Sequence, residues 1–242
     1  MNENIKETIK AFKVDLDSSK NQIMLKPIAR SFNNQAHQIN EAAEKIHELI
    51  KNAPYSNDNI VLKRNEIKEA FFSPFKPQLK NAQVFLSHSH VDRNKALEVK
   101  DYLESQTKRK VFIDSLFWDY KDDVLNELAK YDDISKIEDA FTLILRESLQ
   151  DMIEKCPYFV FLQSSNSVSF NQNLLKITYS AWIYEELKIA NGLIADTTLQ
   201  ESCIKAMRVS YDVTNLLGRF KPISLDSLCK KIAFNLITKD AK

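Results

Sequence analysis

Val84-Phe-Leu-Ser-His-Ser-His-Val-Asp92 is a short apolar run that ends in a polar turn, with Asp92 placed to cap a helix. The run predicts a strand over 83–87 and a helix to about residue 105, with Ala96, Val99 and Leu103 inward. Outward from it, the two periodicities alternate. Residues 110–114 (Lys-Val-Phe-Ile-Asp) read as a second strand, 158–162 as a third, and 205–213 as holding a further one. Residues 121–130 and 134–155 read as helices, the longer with Ile137, Phe141, Ile144, Leu145, Leu149 and Ile153 at helical spacing. A polar loop over 163–179 leads into a helix over 182–191. Ser224 then caps a final helix with Leu228, Ile232 and Leu236 inward. This alternation predicts an α/β fold, a flavodoxin-like parallel sheet with helices on both faces.

Residues 1–52 read as helical. Ile5, Ile9, Phe12, Leu16 and Ile23 follow 3–4 spacing, and the pattern resumes after Pro27 with Ile28, Phe32, Ile39, Ala43, Ile46 and Ile50. Pro27 suits the first turn of a second helix and not the middle of one. A turn-rich linker spans 52–59, and a short helix over 60–72 ends at Ser73-Pro-Phe-Lys-Pro77. The expected division is an N-terminal helical region over 1–79, regulatory or concerned with assembly, and a second domain over 80–242.

The chain has 242 residues and a net charge of +1. Residues 1–80 carry a net +3 and the remainder a net −2, which gives no electrostatic case for nucleic acid or membrane. Cys156, Cys203 and Cys229 are odd in number and lack CxxC spacing, as reduced thiols would be. No signal-peptide core or apolar run of spanning length is visible, so the expected location is cytoplasmic. Gly192 and Gly218 are the only glycines, which excludes a Walker loop and a GxGxxG fingerprint.

In open parallel sheets, ligands sit at the carboxyl ends of the strands. A crevice there would collect Ser87, His88, Asp114, Trp118, Ser164, Trp182 and Glu186. In Ser180-Ala-Trp-Ile-Tyr-Glu-Glu-Leu187, Trp182 and Glu186 are i and i+4 and share a helix face, while Glu185 points elsewhere. Such a face can stack a flat ring and hold a sugar. Trp118 can stack a ring or pack on the surface. Asp114 can bind a ligand or cap its loop. His88 and His90 are expected to point to opposite sides and, with no further His or Cys nearby, to make a poor metal site.

These segments resemble a TIR (Toll/interleukin-1 receptor) domain over about residues 80–240, and more its bacterial enzymatic branch than its receptor branch. Phe85-Leu-Ser-His88 matches the opening strand and Asp92 the polar loop after it. Val111-Phe-Ile-Asp114 matches the second strand and Phe159-Val-Phe-Leu-Gln-Ser-Ser165 the third. Ser180–Leu187 matches the signature Ser-x-Trp-Cys-x-x-Glu-Leu, with Ile183 in place of the Cys. The loop after the second strand lacks the family's glycine, and the stretch to the third strand is longer than in compact members.

The resemblance implies an NAD+ glycohydrolase with Glu186 as catalytic residue, and Ser87, His88, Asp114, Trp118, Ser164 and Trp182 around the substrate. NAD+ is then a substrate, with no cofactor and no metal. Because the leaving nicotinamide departs neutral from a pyridinium, one carboxylate that holds the ribose and stabilises oxocarbenium charge can suffice, where ordinary glycosidases need two. Water gives ADP-ribose and an internal nucleophile a cyclic isomer; both remain open. The family further implies anti-phage defence or signalling, self-association through the TIR domain, and an effector or sensor reached through the N-terminal helices. The rival readings are a non-catalytic TIR scaffold for homotypic assembly and a nucleoside deoxyribosyltransferase.

Overall fold

The computed structural model describes residues 9–25, 44–49, 51–52, 55–56, 59–60, 63–72, 81–113, 115–130, 135–171, 174–194 and 210–234. The chain divides into two compact units, residues 1–28, 82–114 and 150–242 in one and 29–81 and 115–149 in the other. Within the second unit lie helices over 44–49, Arg64–Phe72 and Ser115–Leu128, the greater part of a helix at Ser135–Lys155, and a two-stranded hairpin at Tyr55–Ser56 and Asn59–Ile60. Among the described residues, no helix is long and apolar enough to cross a membrane.

The first unit is α/β. Its strands are β1 (Lys10–Asp15), β2 (Ala82–Ser87), β3 (Lys110–Ile113), β4 (Tyr158–Gln163), β5 (Ser169–Phe170), β6 (Lys176–Thr178), β7 (Tyr211–Asp212) and β8 (Lys221–Pro222). Its main helices are α1 (Arg93–Thr107), α2 (Ala181–Leu193) and α3 (Leu225–Phe234). Five strands form an all-parallel sheet in the order β8-β1-β4-β2-β3. Counting β2 first, the order second-first-third is that of a flavodoxin-like sheet. The next place, however, is taken by β1, from the start of the chain.

This corrects the helical expectation for residues 10–15. Phe12, Val14 and Leu16 alternate and are all buried, the period of a strand. Phe12 and Leu16 are four apart, a spacing that satisfies a helix and a strand equally, so the apparent helical stripe did not discriminate. β1 pairs along its whole length with β4, from Lys10 opposite Tyr158 to Asp15 opposite Gln163. Ile9 N–H donates to Leu193 O at 3.3 Å, tying the entry of β1 to the end of α2. Of the second expected helix, 44–49 is helical; residues 1–8 and 26–43 lie outside the described residues.

Residues opposite one another in a parallel ladder project from one face. Phe112, Phe85 and Phe159 make one such row, with ring centroids 5.7 and 5.6 Å apart, and Phe220 meets Phe159 edge-on at 5.5 Å. The next row toward the carboxyl ends runs Ser87, Phe161, Lys13 and is partly polar. On the opposite face α1 packs against α3, and Lys231 Nζ of α3 stands 5.0 Å over the Phe12 ring. The 163–179 loop contains the edge of a second, antiparallel sheet, β5-β6-β7, which two- and three-residue strands do not announce in sequence. Of the strand expected over 205–213, Tyr211–Asp212 is present as β7, and residues 195–209 lie outside the described residues.

Candidate functional site

α2 is fixed at both ends. Ser180 Oγ accepts from Ile183 N–H at 3.2 Å, an N-cap that the sequence Ser-Ala-Trp-Ile encodes. At the other end the Arg219 guanidinium donates to Asn191 O at 2.9 Å and to Ile194 O at 3.2 Å, holding two terminal carbonyls. The buried Asn191 donates from Nδ2 to Leu187 O at 2.8 Å and Leu216 O at 3.2 Å.

The inward stripe of α2 is Ile183, Glu186, Leu187, Ala190, Asn191 and Leu193. Glu186 therefore occupies a core position with no exposed surface, where a carboxylate is costly without hydrogen bonds. Ser87, equally buried at the end of β2, donates its hydroxyl to Glu186 Oε2. The bond joins residues 99 apart in sequence. It lies where the sheet order reverses, since β3 follows β2 on one side and β4 adjoins it on the other. A crevice at the carboxyl ends forms at such a point.

Ser164 is drawn into a second cluster. Its hydroxyl donates to Asp92 Oδ2, and Asn166 Nδ2 donates to Asp92 Oδ1 at 2.8 Å. Ser164 Oγ in turn accepts from the backbone N–H of Asn166 at 3.1 Å and of Ser167 at 3.2 Å. Asp92 stands at the N-cap position of α1 as expected, yet its carboxylate makes no cap bond and holds the β4 turn instead. Asn166 and Ser167 were not foreseen; the Ser-Ser-Asn-Ser run was their only signal.

Of the other expected residues, His88 is buried beside Ser87 and His90 is exposed; two apart on an extended segment they would share one side, and they differ because His90 opens a short helical turn at His90–Asp92. Trp182 is half-buried on the first turn of α2, and Glu185 is half-buried too. Asp114 lies outside the described residues. Trp118 falls within the Ser115–Leu128 helix, its side chain likewise outside them. The structure thus brings together Ser87 and Glu186, with His88 adjoining, and places Ser164 with Asp92.

Burial pushes the Cys156 thiol up to about 12 and the Cys229 thiol up to about 11. Such thiols are inert as nucleophiles at neutral pH. The Lys13 ammonium is lowered, first by burial and then by Lys176. No protein-family model matches the chain, and comparison with curated proteins and with solved structures likewise finds no match.

Proposed function

We propose that this protein is a TIR-type NAD+ glycohydrolase that cleaves the nicotinamide–ribose bond, with Glu186 as the catalytic carboxylate. The observation that carries the reading is the carboxylate on the core stripe of α2, met by the Ser87 hydroxyl at the carboxyl end of β2. A helix stripe that served packing alone would place an apolar residue there. Glu186 would hold the ribose hydroxyls of NAD+ and stabilise positive charge as the C1′–N bond breaks. Nicotinamide leaves neutral, water adds at C1′ and loses a proton, and ADP-ribose forms; capture by an internal nucleophile gives the cyclic isomer. Trp182, half-buried one turn earlier, would stack a ring of the substrate. Because Glu186 has no exposed surface, substrate reaches it only after the covering groups move, so activity depends on an opening or assembly step. The associated proposals are self-association and a defence or signalling role.

That same burial favours a second reading, in which the Ser87–Glu186 bond only pins α2 to the sheet of a non-catalytic assembly module. The two readings separate on Glu186→Gln, which keeps the side chain's size and its ability to accept from Ser87. NAD+ is incubated at high protein concentration and nicotinamide is measured by chromatography. The enzyme reading expects release by the wild type and a loss of at least about a hundredfold in the variant, at unchanged circular dichroism. Equal turnover in both removes Glu186 from catalysis. Absence of turnover in both, alongside concentration-dependent self-association by light scattering, supports the assembly module.

A further inference from the structure

A cleft of about 450 Å³ opens at the carboxyl ends of β1 and β4, lined by Lys13, Lys20 and Lys176 together with Asp15, Gln163 and Ser224. Three cations face one carboxylate, and Asp15 Oδ1 is already engaged by Asp17 N–H at 2.9 Å. Sheet register fixes where this cleft lies relative to the Ser87–Glu186 bond. Lys13 is opposite Phe161, and Phe161 is opposite Ser87, so all three project from one face of the sheet. Two strand spacings separate Lys13 from Ser87, about 10 Å. A ribose and one ester linkage cover part of such a gap between a glycosidic carbon and a diphosphate, and the length of a lysine side chain covers the rest.

We propose that the Lys13–Lys20–Lys176 cleft binds the diphosphate of a dinucleotide whose glycosidic bond lies at Glu186. The inference rests on the glycohydrolase reading for the second half of that statement and on the cleft alone for the first. The lysines that matter are held in place. Lys13 Nζ donates one proton to Leu217 O at 2.8 Å, leaving two for a ligand. Both backbone groups of Lys176 are anchored, its N–H to Thr214 Oγ1 at 2.8 Å and its carbonyl to Val213 N–H at 2.9 Å. Burial, and then the nearby Lys176 ammonium, disfavour the charge on Lys13, and an anion between the two side chains offsets the second of these. The N-terminus of α3 borders the cleft but is satisfied internally. Leu225 N–H donates to Asn21 Oδ1 at 3.1 Å and Ser227 N–H to Ser224 Oγ at 3.3 Å, so the attraction comes from the lysines.

The test is titration calorimetry of the full chain at low salt with pyrophosphate, ADP-ribose and nicotinamide riboside. The wild type, Lys13→Gln, Lys176→Gln and, as a charge control, the outlying Lys230→Gln are compared. Pyrophosphate and ADP-ribose should bind, and each cleft substitution should weaken them about tenfold, the worth of one charge-assisted hydrogen bond. Lys230→Gln should leave both unchanged, and affinity for nicotinamide riboside, which lacks a diphosphate, should not respond to the cleft substitutions. Should Lys13→Gln, which alters the side chain bonded to Leu217 O, fail to fold, Lys176→Gln decides alone, because the bonds that fix Lys176 come from its backbone. Absence of pyrophosphate binding, or equal binding by wild type and Lys176→Gln, overturns the proposal. Lysine-dependent binding without NAD+ cleavage retains the cleft and discards the glycohydrolase; cleavage with a KM indifferent to Lys176→Gln does the reverse.

Discussion

Residues 80–242, the span that sequence alone reads as the second domain, should not fold by themselves. They lack β1, which fills an interior place in the sheet between β4 and β8. Phe12, Val14 and Leu16 are exposed by 2, 0 and 1%. Burying each contributes about 1.5–3 kcal/mol, or about 5–9 kcal/mol together. That is comparable to the whole net stability of a typical domain, about 5–15 kcal/mol. Hydrogen-bonding loss adds to it. β8 pairs only with β1 among the described strands, and β4 loses its ladder from Tyr158 to Gln163. The assay compares the full chain with the 80–242 fragment by far-ultraviolet circular dichroism, urea denaturation and dispersion of the amide NMR spectrum. The fragment should show a broad, non-cooperative transition and collapsed dispersion, and a synthetic peptide of residues 9–25 should restore both. A milder version is Phe12→Ala in the full chain, expected to cost about 3–5 kcal/mol. A fragment that unfolds cooperatively at the midpoint of the full chain would refute the reasoning, because β1 would then be an accessory to the sheet.

Ser87→Ala removes a donor to a carboxylate that has no exposed surface, and should cost about 1–3 kcal/mol in urea denaturation. An unchanged midpoint would mean that the Ser87 hydroxyl does not stabilise the buried acid. Cys156 makes stability fall in alkali. Its thiol ionises at an ordinary 9.0 when unfolded and at about 12 when buried, so the folded form keeps its proton through that window. Stability is therefore full below pH 9 and declines as pH rises toward 12, by up to about 1.4 kcal/mol per pH unit. Cys156→Ala should flatten the decline that this thiol causes, and an identical alkaline profile in the variant would show that the thiol is not its source. At neutral pH a thiol reagent should modify Cys156 only once denaturant is added.

What was legible in the sequence follows from where the signals are local. β2, β3 and β4 are apolar runs bounded by turns, and α1, α2 and α3 carry single apolar stripes with Ser or Asp at their starts, so each could be placed to within a few residues. β1 failed because Phe12 and Leu16 fit both periods, and only the alternation through Val14 distinguishes them. Glu186 was singled out by a motif, yet its physical peculiarity also stands in the sequence. Ile183, Leu187, Ala190 and Leu193 define a core stripe, and Glu186 interrupts it. The partner of that acid could be guessed only as a member of a strand-end crevice. The same crevice argument named Ser164 but not its partner: its hydroxyl goes to Asp92, 72 residues away, because hydrogen-bond partners across a sheet are set by register and not by spacing. Register also explains why no lysine entered the sequence-based site. Lys13 lies in the stretch that reads as helical near the start of the chain. Inserting β1 beside β4 instead carries it into the row of Ser87 and Phe161, on the side of the sheet that Glu186 faces. A single strand placement thus brings a lysine from the start of the chain into one row with Ser87, the partner of the buried acid, and the chemistry open to this face depends on that placement as much as on the motif.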